Sequence, residues 1–168
     1  MITIAIERPE EGPAVEELLD TAFGPERWAR PSYYLRQGLA PVAGLCRVAR
    51  ARTLVGTVRY WPIVAGGGPA LLLGPLAVAP GWRGAGIASA LVRESLAAAA
   101  GAGHDLVIAV GEPDFFARFG FTAAAPFGLV MPVAVETRRL LVRALGPEAP
   151  AAGAIARADA PLSARAAW

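Results

Sequence analysis

Residues 71–96 read LLLGPLAVAPGWRGAGIASALVRESL, and the fold turns on how this stretch divides. Its apolar start is too short, and too broken by Gly74-Pro75, for a buried helix. Leu76 and Val78 alternate with Ala77 and Ala79, the period of a strand covered on both faces. Proline cannot donate to a ladder, so a bulge or splay is expected beside Pro75. After Pro80-Gly81, residues Ile87, Leu91, Val92 and Leu96 fall on one stripe of a helix predicted over 84–100. The order is strand, Gly-rich loop, helix N-terminus. Such a helix start presents unpaired N–H groups and a positive dipole end to an anion, usually a phosphate. Gly84 and Gly86 let a ligand approach the backbone without a Cβ in the way, and Arg83 adds a cation at the rim.

Downstream, Gly101-Ala102-Gly103 stops the helix, and Asp105 to Val110 reads as a short buried strand. Strand, helix and strand then make a right-handed parallel crossover, whose ligands sit beyond the carboxyl ends of the strands. Gly111-Glu112-Pro113-Asp114 lies at that end. No acid occurs between Ala70 and Arg83, so Glu112 and Asp114 are the nearest candidate bases. A solvated loop acid and a helix cap are the plainer roles for the two. His104, the one histidine, is at the opposite end of the strand, roughly 20 Å away, and reads as a surface residue.

These residues carry a resemblance. Arg83, Gly86 and Ala88 match a pattern of Gln or Arg, two residues, Gly, one residue, then Gly or Ala. That pattern belongs to the GNAT superfamily of N-acetyltransferases. Asp105–Gly111 resembles the fifth strand of that family, and Asp114–Phe121 the short helix ending in "GF". Together they look most like predicted acetyltransferases of the YhbS type, over about a third of the chain. The resemblance implies an α/β fold with a mixed, mostly antiparallel sheet and one parallel pair, the fourth and fifth strands. It implies acetyl-CoA as acyl donor. The pyrophosphate would lie on Arg83, Gly84, Ala85, Gly86, Ile87 and Ala88. The pantetheine arm would lie on backbone groups of Leu76, Ala77 and Val78, in an opening between those strands. Phe116 and Phe119 would complete the cofactor surface, and Glu112 is the candidate catalytic carboxylate. One departure stands out: the family often places a tyrosine, the acid for the leaving thiolate, four residues before the "GF" glycine. Here that residue is Phe116.

Ile2, Ile4 and Ile6 alternate as a first strand, and Pro9 to Ala22 as a helix with acids in its first turns, where the dipole favours them. Glu26 to Pro41 reads as a surface segment rich in Arg27, Trp28, Arg30, Tyr33, Tyr34 and Arg36. By resemblance it flanks the acceptor; the alternative is that Trp28 and the tyrosines only pack a second helix on the sheet. Leu45–Arg50 and Thr53–Val64 read as an antiparallel pair with Cys46 as a small core residue, and Gly66-Gly67-Gly68 turns into the central strand. Two further strands are predicted, Phe127–Val135 and Arg138–Leu145. Residues 1–168 are read as one domain, with 146–168 an Ala/Pro-rich extension docked on the domain or on a partner.

Composition excludes several classes. All 16 basic residues are arginine, so no P-loop, kinase or Schiff-base lysine exists. One Cys and one His build neither a Cys/His zinc site nor an internal disulfide, and no metal is expected. The net charge is +2 and no arginine run exceeds Arg138-Arg139, so nucleic acid is not an expected partner. Residues 60–82 carry no charge, but their prolines and glycines suit two strands and a turn better than a membrane span. The start ITIAIE does not read as a signal peptide, and a cytoplasmic location is expected. A homodimer is left open.

Three functions are weighed. The leading one is an acetyl-CoA-dependent N-acetyltransferase acting on a primary amine; arginines near Tyr33 and Tyr34 suit an acidic or carboxylate-bearing acceptor. The second is a non-catalytic acyl-CoA-binding module, favoured by Phe116. The third, a Rossmann-type nucleotide-binding protein, fails on Ser89 in place of a third glycine, on Pro80 to Arg83 before the glycines, and on Asp105 opening a strand instead of closing one.

Overall fold

β3 (Leu54–Ala65) and β4 (Gly68–Val78) form the hairpin from which the sheet grows in both directions. The computed structural model describes residues 1–159. Its other strands are β1 (Thr3–Ile6), β2 (Arg47–Arg50), β5 (Leu106–Val110), β6 (Thr122–Ala123), β7 (Leu129–Val130), β8 (Leu140–Ala144) and β9 (Gly153–Arg157). Its helices are α1 (Gly12–Phe23), α2 (Pro31–Arg36), α3 (Ile87–Gly101) and α4 (Pro113–Ala117). The sheet order is β1-β2-β3-β4-β5-β8-β6, antiparallel at every step except β4–β5. This is the mixed sheet expected from the sequence, parallel pair included.

The interruption at Gly74-Pro75 is a bulge. Val58 faces Leu76 and Tyr60 faces Leu73, so Gly74 and Pro75 on β4 oppose Arg59 alone on β3. The extra residue reverses the side-chain parity of β4. Before it, Leu71 and Leu73 face the core under α3 while Ala70 and Leu72 face the opposite core; after it, Leu76 and Val78 pack towards α3 and Ala77 joins Val15 and Leu19 of α1. Parallel pairing with β5 covers Leu71–Leu73 and stops at the bulge.

Each face of the sheet carries a core. Ile87, Leu91, Val92, Leu96 and Ala99 bring the stripe of α3 onto Val55, Tyr60, Leu71, Leu73, Val107 and Ala109. On the other face, Leu35 of α2 packs with Trp61, Ile63, Leu72, Ile108, Leu140 and Ile155. Tyr60 crosses the α3 core to meet the Ser95 hydroxyl at 2.9 Å, which satisfies both buried groups. Cys46 is buried, as expected, and its thiol is pushed up to about 11 by burial.

Three expectations shift. α3 begins at Ile87, three residues late, because Gly84 and Gly86 adopt φ of +80° and +77°, outside the helical region. Phe127–Val135 yields only the two residues of β7, since Gly128 takes φ +70° and Pro132 follows. The extension forms β9, which continues the edge of β3 beyond β2 by pairing Ile155–Arg157 with Ile63–Ala65. Its final residues, 160–168, lie outside the described part.

The acids expected in the first turns of the opening helix fall instead in a 3-10 turn, Pro9–Glu11, that precedes α1, and Glu11 there has a specific partner. Glu11 takes Arg50 Nε and Nη2, both at 2.6 Å, and the Arg8 N–H at 2.8 Å, tying the helix entrance to β2. The bonds from Arg50 outweigh burial and hold the Glu11 carboxyl down at about 2. A depressed carboxyl contributes stability above its unfolded pKa, about 4.3, and loses it as pH falls through the folded value. Glu11→Gln should therefore cost about 2–3 kcal/mol near pH 7. In denaturant melts its curve should converge on wild type between pH 4.5 and 2; a difference independent of pH would refute the ion-pair account.

Candidate active site

β4 and β5 part where the bulge ends their pairing. Pro75 has no N–H, so the next donor on the open edge comes after it. The Ala79 N–H donates to Val55 O at 2.8 Å, which turns Ala79 towards β3. By strand alternation Ala77 also spends its backbone groups on β3, while those of Leu76 and Val78 face the open side. Of the three strand residues singled out in the sequence, two thus present N–H and C=O groups to the split. Arg83 Nε reaches the Val78 carbonyl at 3.3 Å. A cavity of about 180 Å³ occupies the mouth of the split, lined by Leu73–Leu76 of β4 on one side and by Val110 of β5, Gly111 after it and Phe116 of α4 on the other.

The loop after β4 lies at the same end. A 3-10 turn, Pro80–Trp82, leads into Arg83–Gly86, all exposed, and Gly86 is the N-cap of α3. Ile87 turns its side chain into the core, so it offers the loop only its backbone, and Ala88 is half-buried behind it. A Cβ built on Gly84 or Gly86 meets no protein atom within 4 Å. The glycines are required by backbone conformation, and the surface above them is open to a ligand. Both requirements fit a phosphate resting on the first turn of a helix.

On the other side of the split stand α1, α2 and the turn between them. A second cavity, about 590 Å³, is lined by Trp28, Arg30, Tyr33, Tyr34, Arg36 and Trp61, among others, and shares Arg30 and Tyr33 with the first. The segment is less exposed than its composition suggested. Trp28 and Tyr34 are surface residues, whereas Tyr33, Arg27 and Arg36 are buried. Arg27 can be buried because it is fully engaged: Nη2 to Glu16 at 2.6 Å, Nε to Asp20 at 2.8 Å and Nη1 to the Tyr33 hydroxyl at 2.6 Å. Glu16 also takes Arg59 Nη1 at 2.7 Å, while Arg59 holds Glu7 in a two-bond pair. Burial would raise the Glu16 carboxyl, but bonds from Arg27 and Arg59 hold it below its usual range. It is a fixed anion here, poorly suited to accept a proton.

Phe116 lines the small cavity and its ring lies against Gly111, where a Cβ would come within 2.5 Å of Cε2. Phe119 is buried under α3, edge-on to Phe115 with ring centroids 5.2 Å apart and with Arg93 over its ring at 5.5 Å. Glu112 is the N-cap residue of α4, and Asp114, expected as a cap, sits in the first turn. The Glu112 carboxylate is exposed and takes Arg139 Nη1 at 2.5 Å, with Arg138 Nη1 at 3.8 Å. Arg139 lines the small cavity, so Glu112 reaches the site through it. His104 precedes β5, at the end away from the split. Among the described residues no cluster of three or more His, Cys, Asp or Glu could hold a metal, and no helix is long and apolar enough to cross a membrane. Ser32, Arg36, Trp61 and Arg139 join the site without a motif to announce them; the only sequence signal was the density of Arg and aromatic residues over 27–36.

Comparison with known proteins agrees with this geometry. The profile of the acetyltransferase (GNAT) family matches residues 13–121. The uncharacterized N-acetyltransferase YhbS of Escherichia coli strain K12 is 32% identical over 124 residues, 73% of this chain and 74% of YhbS. The crystal structure of Escherichia coli YhbS in complex with CoA superposes with a TM-score of 0.81 at 26% identity, over 93% of this chain and 89% of that one. A GNAT family acetyltransferase from Brucella melitensis, solved with acetyl-CoA, gives a TM-score of 0.73 at 26% identity over 95% and 97%. Family profile, sequence relative and fold agree: this chain belongs to the acetyltransferase (GNAT) family.

Proposed function

We propose that this N-acetyltransferase moves the acetyl group of acetyl-CoA to a primary amine held in the large cavity between α2 and the sheet. The observation that carries the reading is the split after Leu73, with the glycine loop at one side and a cavity at the other. The pyrophosphate rests on the backbone from Gly84 to Ala88, with Arg83 beside it. The pantetheine arm continues the sheet by bonding Leu76 and Val78, as a missing strand would. The thioester then lies at the small cavity, where acceptor and donor meet.

In the reaction the amine lone pair attacks the thioester carbonyl carbon and a C–N bond forms. The resulting oxyanion takes the N–H of Leu76, the first donor on the open edge after Pro75. The C–S bond breaks, the electron pair leaves on CoA sulfur, and that thiolate takes a proton. The nitrogen sheds its own proton to water, and we assign Glu112 to that relay at the mouth of the cleft. Its bonds to Arg139 and Arg138 oppose this role by occupying both carboxylate oxygens, and favour a second one, the positioning of Arg139. Holding the reactants together supplies much of the rate in either case. The reading of an acyl-CoA-binding module that does not transfer keeps one specific support, the absence of a hydroxyl on Phe116.

Acetyl-CoA at 100 times its dissociation constant should add about 2.7 kcal/mol, raising the melting temperature by roughly 5–10 °C, while NADH should leave it unchanged. A shift with NADH alone would sink the proposal. Gly86→Ala should cost about 1–2 kcal/mol in stability from its left-handed φ. Separately, it should weaken CoA tenfold or more by titration calorimetry; unchanged affinity would put the phosphates elsewhere.

Phe116→Tyr should speed transfer, because a positioned acid is worth roughly 10²–10⁴-fold and Phe116 supplies none. Glu112→Gln should lower kcat and flatten its acid limb if Glu112 relays the proton. If it only holds Arg139, the pH profile should keep its shape. No transfer by wild type or Phe116→Tyr to any amine, with CoA bound, would leave the binding module standing.

A further inference from the structure

Arg36 is the one cation of the large cavity that is both buried and unanswered. It is 6% exposed, and its Nε and Nη2 are enclosed with no hydrogen-bond partner. Its guanidinium lies over the Tyr33 ring at 3.6 Å and over the Trp61 ring at 4.7 Å. Those aromatic faces attract the cation but accept no N–H bond in its plane. The acids nearby are already spent. Glu16, the one carboxylate lining this cavity, holds Arg27 and Arg59, and Glu7 and Asp20 complete those two. Arg30, at the exposed rim shared by the two cavities, has no acid partner among the described residues either and rests over Phe23 at 4.4 Å. Burial draws Arg36 down to about 10, which still leaves it charged at neutral pH.

A buried charge without a counter-charge is costly, and removing one partner from a buried pair is strongly destabilising. Here the missing partner is one that the cavity can admit. We propose that Arg36 receives the carboxylate of the acceptor, so that the substrate is a primary amine bearing a carboxylate, an amino acid or close analogue. This rests on the large cavity being the acceptor site. One uncompensated buried guanidinium matches a single negative charge better than a phosphate dianion, and its planar fork suits a carboxylate. The arrangement also fixes the direction of the substrate. Arg36 stacks on Tyr33, Tyr33 lines the small cavity at the split, and Trp61 beside Arg36 donates Nε1–H to the Gly74 carbonyl at 2.6 Å in the bulge. With its acid end on Arg36, the substrate directs its amine past Tyr33 towards the thioester. Arg30 at the rim would draw an acidic molecule in.

The test is a panel of amino acids against their C-terminal amides, with acetyl-CoA, read as released thiol. Each acid should exceed its amide at least tenfold in kcat/KM. Arg36→Met keeps the stem, removes the charge and should bring that ratio close to one, with CoA affinity held within twofold. If Arg36→Met does not fold by circular dichroism, Arg36→Lys should lower the ratio without abolishing it, and wild type alone still decides. With CoA bound, N-acetyl amino acids should raise its melting temperature and their amides should not. Amides turned over as well as acids would overturn the assignment of Arg36 and leave acetyl transfer intact. No acetylation of any amine, with CoA bound, would remove both.

Discussion

Pro75 cannot donate to a ladder, and the organisation of the site follows from that one missing hydrogen. With Gly74 it places two residues of β4 opposite one of β3, and pairing with β5 stops at Leu73. The bulge does three things together. It frees the far edge of β4 at Leu76 and Val78. It reverses the strand's parity, so that apolar residues still face α3 beyond the interruption. It also gives Trp61 a carbonyl, Gly74 O, to hold, which links the split to the wall of the large cavity. A continuous β4–β5 pair would bury these backbone groups against each other and leave no place for an extended ligand.

The opposite wall depends on charge pairing. Arg27, Arg59, Glu7, Glu16 and Asp20 form one connected set that joins the end of β1, α1, β3 and the turn before α2. Its two arginines are buried and every member is bonded to another, so it fixes where α1 and the turn lie over the sheet. Satisfied networks of this kind rigidify a wall, whereas a half-satisfied one is costly. Arg36 stands just outside the set, in contact with Tyr33, and inherits no carboxylate from it. That contrast between engaged and unengaged arginines gives the large cavity its chemical character.

The sequence was most legible where local rules apply. The Gly loop, the stripe of α3, the bulge at Gly74-Pro75 and the parallel β4–β5 pair all rest on spacing and on Gly and Pro chemistry within 40 residues. It was least legible where partners are distant. Arg27 and Arg36 looked like surface residues because arginine usually is, and nothing local says that Glu16 will bury one and leave the other unpaired. Arg59 meets Glu7 across 52 positions. β9 was hidden because Gly-Ala-Ile-Ala-Arg has little strand propensity of its own; its order comes from the free edge of β3 that it covers. Phe127–Val135 erred the other way, since apolar composition outweighed the breaks at Gly128 and Pro132.

The claim on which the rest depends is that the split in the sheet receives an acyl-CoA in extended form. A crystal structure of the protein grown with CoA tests it most directly. The pantetheine amides should bond the backbone of Leu76 and Val78, with the pyrophosphate on the N–H groups of Gly84 to Ala88 and the sulfur beside Phe116. CoA lying elsewhere, with β4 and β5 closed over an empty split, would contradict it.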